Sequence, residues 1–152
     1  MTRVEAQHVG RAVTEASAGA EDPSHVATVV GSFLQSQPMI GHYVQAHARD
    51  LSLEGTVLVL LHASVVARAV EIAIGRALGA VTPSQLDGAT RNHRTLAEEE
   101  PQLWAYLDGN LAADDPTLGG PRRTTALELL GVVATALRTA VDDPPTVRGR
   151  RR

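Results

Sequence analysis

The chain has 152 residues, enough for one domain with a proper core, and its 43% apolar and 20% charged residues are those of an ordinary globular protein. It contains no cysteine, which excludes disulfides and thiolate metal sites, and all 14 basic residues are arginine, which excludes lysine Schiff bases and Walker-type phosphate loops. The net charge of −3 conceals an uneven distribution: Arg148, Arg150, Arg151 and Arg152 put +4 at the C-terminal end, leaving about −7 on the rest, with acids concentrated between positions 98 and 115.

The elements follow in chain order. Residues 3–18 read as a helix with few apolar anchors (Val4, Val9, Val13), ended by Gly19. Asp22 caps a second helix with Pro23 at its first position, where the missing N–H costs nothing. Val26, Val29, Val30, Phe33 and Leu34 form its one-faced stripe. Pro38 starts a third helix, with Ile40, Tyr43, Val44, His47 and Leu51 on one face. Ser52 caps a long fourth helix, about 53–78, closed by Gly79 and apolar nearly all round. It reads as the central buried rod, with Val59, Leu60, Val66 and Ile74 inside.

Thr82-Pro83-Ser84-Gln85 is a capping-box pattern opening a helix to about residue 99, with Leu86, Ala89, His93 and Leu96 inward. Pro101 starts another, with Leu103, Tyr106, Leu107 and Leu111. A loop over 114–120 leads to a last long helix at about 122–142, with Leu127, Leu130, Ala134, Leu137 and Val141 inward and Asp143-Pro144-Pro145 stopping it. No segment shows strand alternation. The fold class is therefore all-α: a single-domain bundle of about seven helices over 1–145, followed by a flexible Arg-rich tail, 146–152.

The chain repeats itself. Phe33-Leu34-Gln35-Ser36-Gln37-Pro38 and Tyr43-Val44 are echoed 63 residues later by Leu96-Ala97-Glu98-Glu99-Glu100-Pro101 and Tyr106-Leu107. Ala69-Val70-Glu71 is matched by Ala140-Val141-Asp142. The expected organisation is two pseudo-repeated three-helix units, about 22–79 and 82–142, plus an N-terminal helix, with the apolar rods packed back to back. The pattern Phe-Leu-x-x-Gln-Pro-x4-Tyr, an apolar long helix and a second Pro-x4-Tyr-Leu resembles a set of all-helical bacterial proteins over about residues 26–142. That resemblance implies a helical fold and carries no activity. The arginine bias points to a GC-rich bacterial genome.

The stretch 57–78 is long enough to raise the membrane question, but His62, Arg68, Glu71 and Arg76 interrupt it, and charge at bilayer depth is costly. With no apolar h-region at the start, the expectation is a cytoplasmic protein without a membrane role.

Six histidines invite a search for chemistry, yet neither Glu-x-x-His nor His-x3-His occurs. His47, Asp50 and Glu54 are the only metal candidates; His47 reads equally as a helix C-terminal residue interacting with the dipole. His62 lies on an apolar face of the rod, as a satisfied core histidine or as a polar group in a ligand cavity. Arg68 and Glu71 have ion-pair spacing, either on a solvated edge or in an interface or cavity. Trp104 sits off the inward stripe of its helix, as an interface anchor or packed under the N-terminal helix. The tail arginines 148, 150, 151 and 152 give a weak, sequence-blind anion-binding surface, with no stacking aromatics, so a nucleic-acid partner is not expected. No catalytic residue or cofactor site stands out. The sequence reading is a non-catalytic interaction or adaptor protein, or a homo-oligomer. Its alternatives are a small-molecule or metal binder around His62 and a nucleic-acid accessory protein acting through the tail.

Overall fold

The computed structural model describes residues 3–18, 22–48, 51–111 and 117–142. All regular structure among them is helical: α1 (Ala6–Ser17), α2 (Pro23–Ser36), α3 (Pro38–His47), α4 (Leu53–Ile74), α5 (Pro83–Asn92), a 3-10 turn (His93–Thr95), α6 (Leu96–Glu99), α7 (Pro101–Asn110) and α8 (Pro121–Asp142).

Two rods, α4 and α8, pack along each other and carry the remaining elements. α1, α2 and α3 lie on α4; α5, the 3-10 turn, α6 and α7 lie on α8. Val59 (0%), Leu60 (4%) and Val66 (1%) are buried as expected, as are Leu130 and Leu137 of α8. Each such side chain stabilises the fold by roughly 1.5–3 kcal/mol. α4 is nevertheless open along one stripe, where Leu53 is 82% exposed and Val57, Leu58 and Leu61 are half-buried. It is the one helix among the described residues long and apolar enough to cross a membrane by length and composition alone.

Two boundaries differ from the sequence reading. α4 stops at Ile74, because Gly75 adopts the left-handed conformation (φ 76°) and its N–H caps the Glu71 carbonyl. The Glu71 carboxylate then accepts the Leu78 N–H, so residues 75–78 turn away and Ile74 is half-buried. The helix expected over 82–99 breaks at its middle into a 3-10 turn. Thr90 and Thr95 bond back to the carbonyls of Leu86 and Asn92, and such local bonds compete with a regular helix. At the other end of the chain, α1 is secured from outside its own sequence, as the corners show.

Each corner is a buried polar residue before a proline. Proline disfavours helical torsions in the residue preceding it. Gln37 (φ −133°, ψ 64°) and Glu100 (φ −135°, ψ 70°) take up nearly identical ones. Both are buried, at 3% and 0% exposure. Gln37 spans to the chain leading into α5: its Oε1 accepts the Val81 N–H at 2.8 Å and its Nε2 donates to the Gly79 carbonyl at 2.9 Å. Glu100 spans to the chain leading into α1: its Oε1 accepts the Val4 N–H at 2.9 Å, and Arg138 Nε donates to its Oε2 at 2.8 Å. Val4 and Val81 are themselves buried, and each immediately precedes a helix cap. In both caps the backbone N–H is taken by the side chain three residues on, Glu5 by His8 Nδ1 and Thr82 by Gln85 Oε1, at 2.9 Å in each case. α1 packs on α4, and α5 packs on α8.

Candidate functional site

The tyrosines of the two corners meet different surroundings. Tyr106, on α7, reaches α4, where its hydroxyl lies 2.8 Å from His62 Nδ1 and the rings meet edge-on at 5.7 Å. Burial pushes the Tyr106 phenol up to about 12. α1 packs against both α4 and α7, the two helices that carry this pair.

Among the described residues, Tyr43, on α3, has no such partner. No comparable packing joins α3 to α5, and a cleft of about 720 Å3 opens between them over the first half of α8. Tyr43, Ala46 and His47 form one wall, Thr90 and His93 the other; Leu129 and Val132 lie below, with Thr125 and Glu128 beside them. The Tyr43 and His47 rings stack at 4.2 Å. A second cleft of about 310 Å3 adjoins the first through His93 and Glu128, and is lined by Arg94, Ala97, Trp104, Thr124 and Leu127.

Backbone contacts set both imidazoles of the larger cleft. His47 Nδ1 lies 2.9 Å from the Tyr43 carbonyl and His93 Nδ1 lies 3.1 Å from the Thr90 carbonyl. A carbonyl only accepts, so each Nδ1 carries the hydrogen and each neutral ring keeps its lone pair on Nε2. His93 lies against α8 at Gly131, where a built Cβ would sit 3.5 Å from the imidazole Cδ2.

The residues singled out in the sequence fall in four places. His62 serves the Tyr106 contact, away from both clefts. Arg68 is exposed and pairs with Glu15 (2.7 Å) more closely than with Glu71 (3.4 Å). The hydrogen bond from that guanidinium, reinforced by its charge, holds the Glu15 carboxyl below the ordinary carboxylate range. Trp104 is half-buried at the smaller cleft rather than under α1. His47 lines the larger cleft, whereas Glu54 is exposed in the first turn of α4 and Asp50 lies outside the described residues, as do the tail arginines 148, 150, 151 and 152. Among the described residues no group of three or more His, Cys, Asp or Glu side chains gathers where it could hold a metal ion.

Of the acidic stretch, Glu99 and Glu100 meet Arg138, and Asp108 meets Arg123, whose guanidinium also bonds the Leu111 carbonyl. Sequence reasoning missed Glu128, Thr90 and Thr125 as cleft residues and placed Tyr43 and His93 on inward stripes. The available signal was the lack, in α8, of any histidine opposite Tyr43 to match His62 opposite Tyr106.

Comparison with protein-family models, with curated proteins and with solved structures returns no match for this chain.

Proposed function

We propose that this chain is a non-catalytic interaction module, an adaptor or the subunit of a homo-oligomer, that engages protein through the α7–α8 face around Trp104. The observation that carries this reading is the position of the sole tryptophan: half-buried, at the rim of a cleft it shares with Ala97 and Leu127, and continuous with the larger cleft beside it. Tryptophan in such a setting is the residue type most enriched among interface anchors, and truncating an anchor typically costs about 2 kcal/mol or more of binding. The mass of the 16.1 kDa chain, followed by light scattering over a wide concentration range, tests the self-associating form. Assembly that Trp104→Ala abolishes without lowering the thermal midpoint supports it. Assembly that persists in the variant removes Trp104 as the anchor. For a different partner, the equivalent measurement is photo-crosslinking from position 97.

A second reading, small-molecule binding, is favoured by the 720 Å3 cleft over the surroundings of His62, whose ring is engaged with Tyr106. Both readings place the protein in water. The packing of α1, α2, α3 and α8 around α4 supports a core helix rather than a membrane span.

We also infer that the bundle is a doubled unit, with α1–α4 and α5–α8 as its halves. The reciprocal corners Gln37–Val81 and Glu100–Val4 support this organisation, which extends the sequence repeat to include α1. Residues 76–142 expressed alone test it: a symmetric homodimer in which Glu100 of each copy meets Val81 of the other is expected, and an unfolded monomer counts against it.

A further inference from the structure

The larger cleft is a collection of hydrogen-bond acceptors. His47 and His93 each present Nε2, because their Nδ1 hydrogens are given to backbone carbonyls. The Tyr43 hydroxyl makes no hydrogen bond within the described protein, unlike that of Tyr106, and the Glu128 carboxylate has no cationic partner there. No arginine lines this cleft. Two imidazole lone pairs, a phenol oxygen able to accept and an anion, over an apolar floor, suit a ligand head that only donates and is positively charged. The faces of the stacked Tyr43 and His47 rings add a surface on which a planar cation can lie.

We propose that this cleft receives the guanidinium or ammonium head of an aliphatic cation, its N–H groups donating to His47, His93, Tyr43 and Glu128. The proposal rests on the α7–α8 face being a binding surface. The neighbouring cleft suits the remainder of such a ligand. Arg94 there would repel a second cation, while Trp104, Leu127 and Ala97 accept an apolar body. One source of this chemistry is a free alkylguanidine or alkylamine; the other is an arginine or lysine side chain on a partner segment with apolar neighbours.

The test is calorimetric titration of the full chain with n-butylguanidinium and with n-butylurea, its neutral isostere. The cation is expected to bind at least about tenfold tighter. Glu128→Gln is an exposed substitution, and it is expected to erase most of that difference with the thermal midpoint unchanged. Equal binding of the two probes, or a Glu128→Gln chain that binds the cation as before, overturns the proposal. A capped peptide with one arginine between leucines, and its citrulline counterpart, separate the sources. Peptide binding tighter than n-butylguanidinium, with the advantage lost in Trp104→Ala, identifies a partner segment; equal affinity identifies a free small cation. A charge preference that survives while Trp104→Ala changes nothing defeats the interaction reading alone. A Trp104-dependent peptide affinity indifferent to citrulline defeats the cation proposal alone.

Discussion

Tyr106 shows how one buried hydroxyl couples the fold to pH. Its phenol is held at about 12 by burial, whereas in the unfolded chain it ionises at about 10. Between those values the unfolded state has lost a proton that the folded state keeps. The stabilisation is therefore complete below pH of about 10 and declines as pH rises toward about 12, by at most about 1.4 kcal/mol per pH unit. A Tyr43→Phe chain leaves Tyr106 as its only phenol. Ultraviolet difference titration of that chain is expected to show phenolate appearing near pH 12 when folded and about 10 in denaturant. Coincident titrations would contradict the burial of the ring. The exposed Arg68–Glu15 pair is a contrasting case: solvent screens it, and pairs of this kind add little to stability.

At the scale of the helix, stop signals decide more than propensity. Gly75 ends α4 at φ 76°, a left-handed conformation that strains any L side chain even though the space around it is open, so Gly75→Ala is expected to lower stability by about 1 kcal/mol in denaturant melts. A change near zero would mean that the end of α4 simply frays. The sequence made the helices legible because proline, cap residue and apolar period agree at Asp22-Pro23 and Thr82-Pro83, and cap residue and apolar period agree at Ser52. The sequence points to Gly79 rather than Gly75 as the end of α4, since the apolar run continues through Leu78 and local pattern cannot weigh one glycine against another. The clefts were not legible at all. His93 and Tyr43 share the period of their buried neighbours, and whether such a residue meets a partner or a void depends on the facing helix. For Tyr106 that helix supplies His62; for Tyr43 it supplies Leu129 and Val132 below an open cleft, with Thr125 and Glu128 beside them. Trp104 could be marked from its off-stripe position, and only the packing of α8 against the 3-10 turn put it at a cleft.

For the molecule as a whole, two buried polar corners hold what the apolar rods cannot orient. Gln37→Ala would leave the Val81 N–H and Gly79 carbonyl without their partner, at an expected cost of about 2 kcal/mol. Glu100→Ala removes a fully buried carboxylate from Arg138 and Val4, and is expected to cost about 3 kcal/mol. Glu98→Ala, two residues away on the exposed side, should fall within about 0.5 kcal/mol. Chemical denaturation of the three variants checks the order. Hydrogen exchange localises the losses, with Gln37→Ala freeing the amide of Val81 and Glu100→Ala that of Val4. Equal, small effects of all three would mean that the rods alone define the bundle.

The bond between Val4 and Glu100 joins positions 96 residues apart, so it cannot form early. On a translating ribosome α1 emerges long before the carboxylate that fastens its leading end, and the guanidinium that neutralises that carboxylate arrives later still, at Arg138. Until then the opening helix has only its neighbours in the nascent half to lean on, and closing so large a loop is entropically slow. A segment synthesised early in this bundle is thus among the last to be locked, and the time between those two events is when a chaperone or a second nascent copy could take its place.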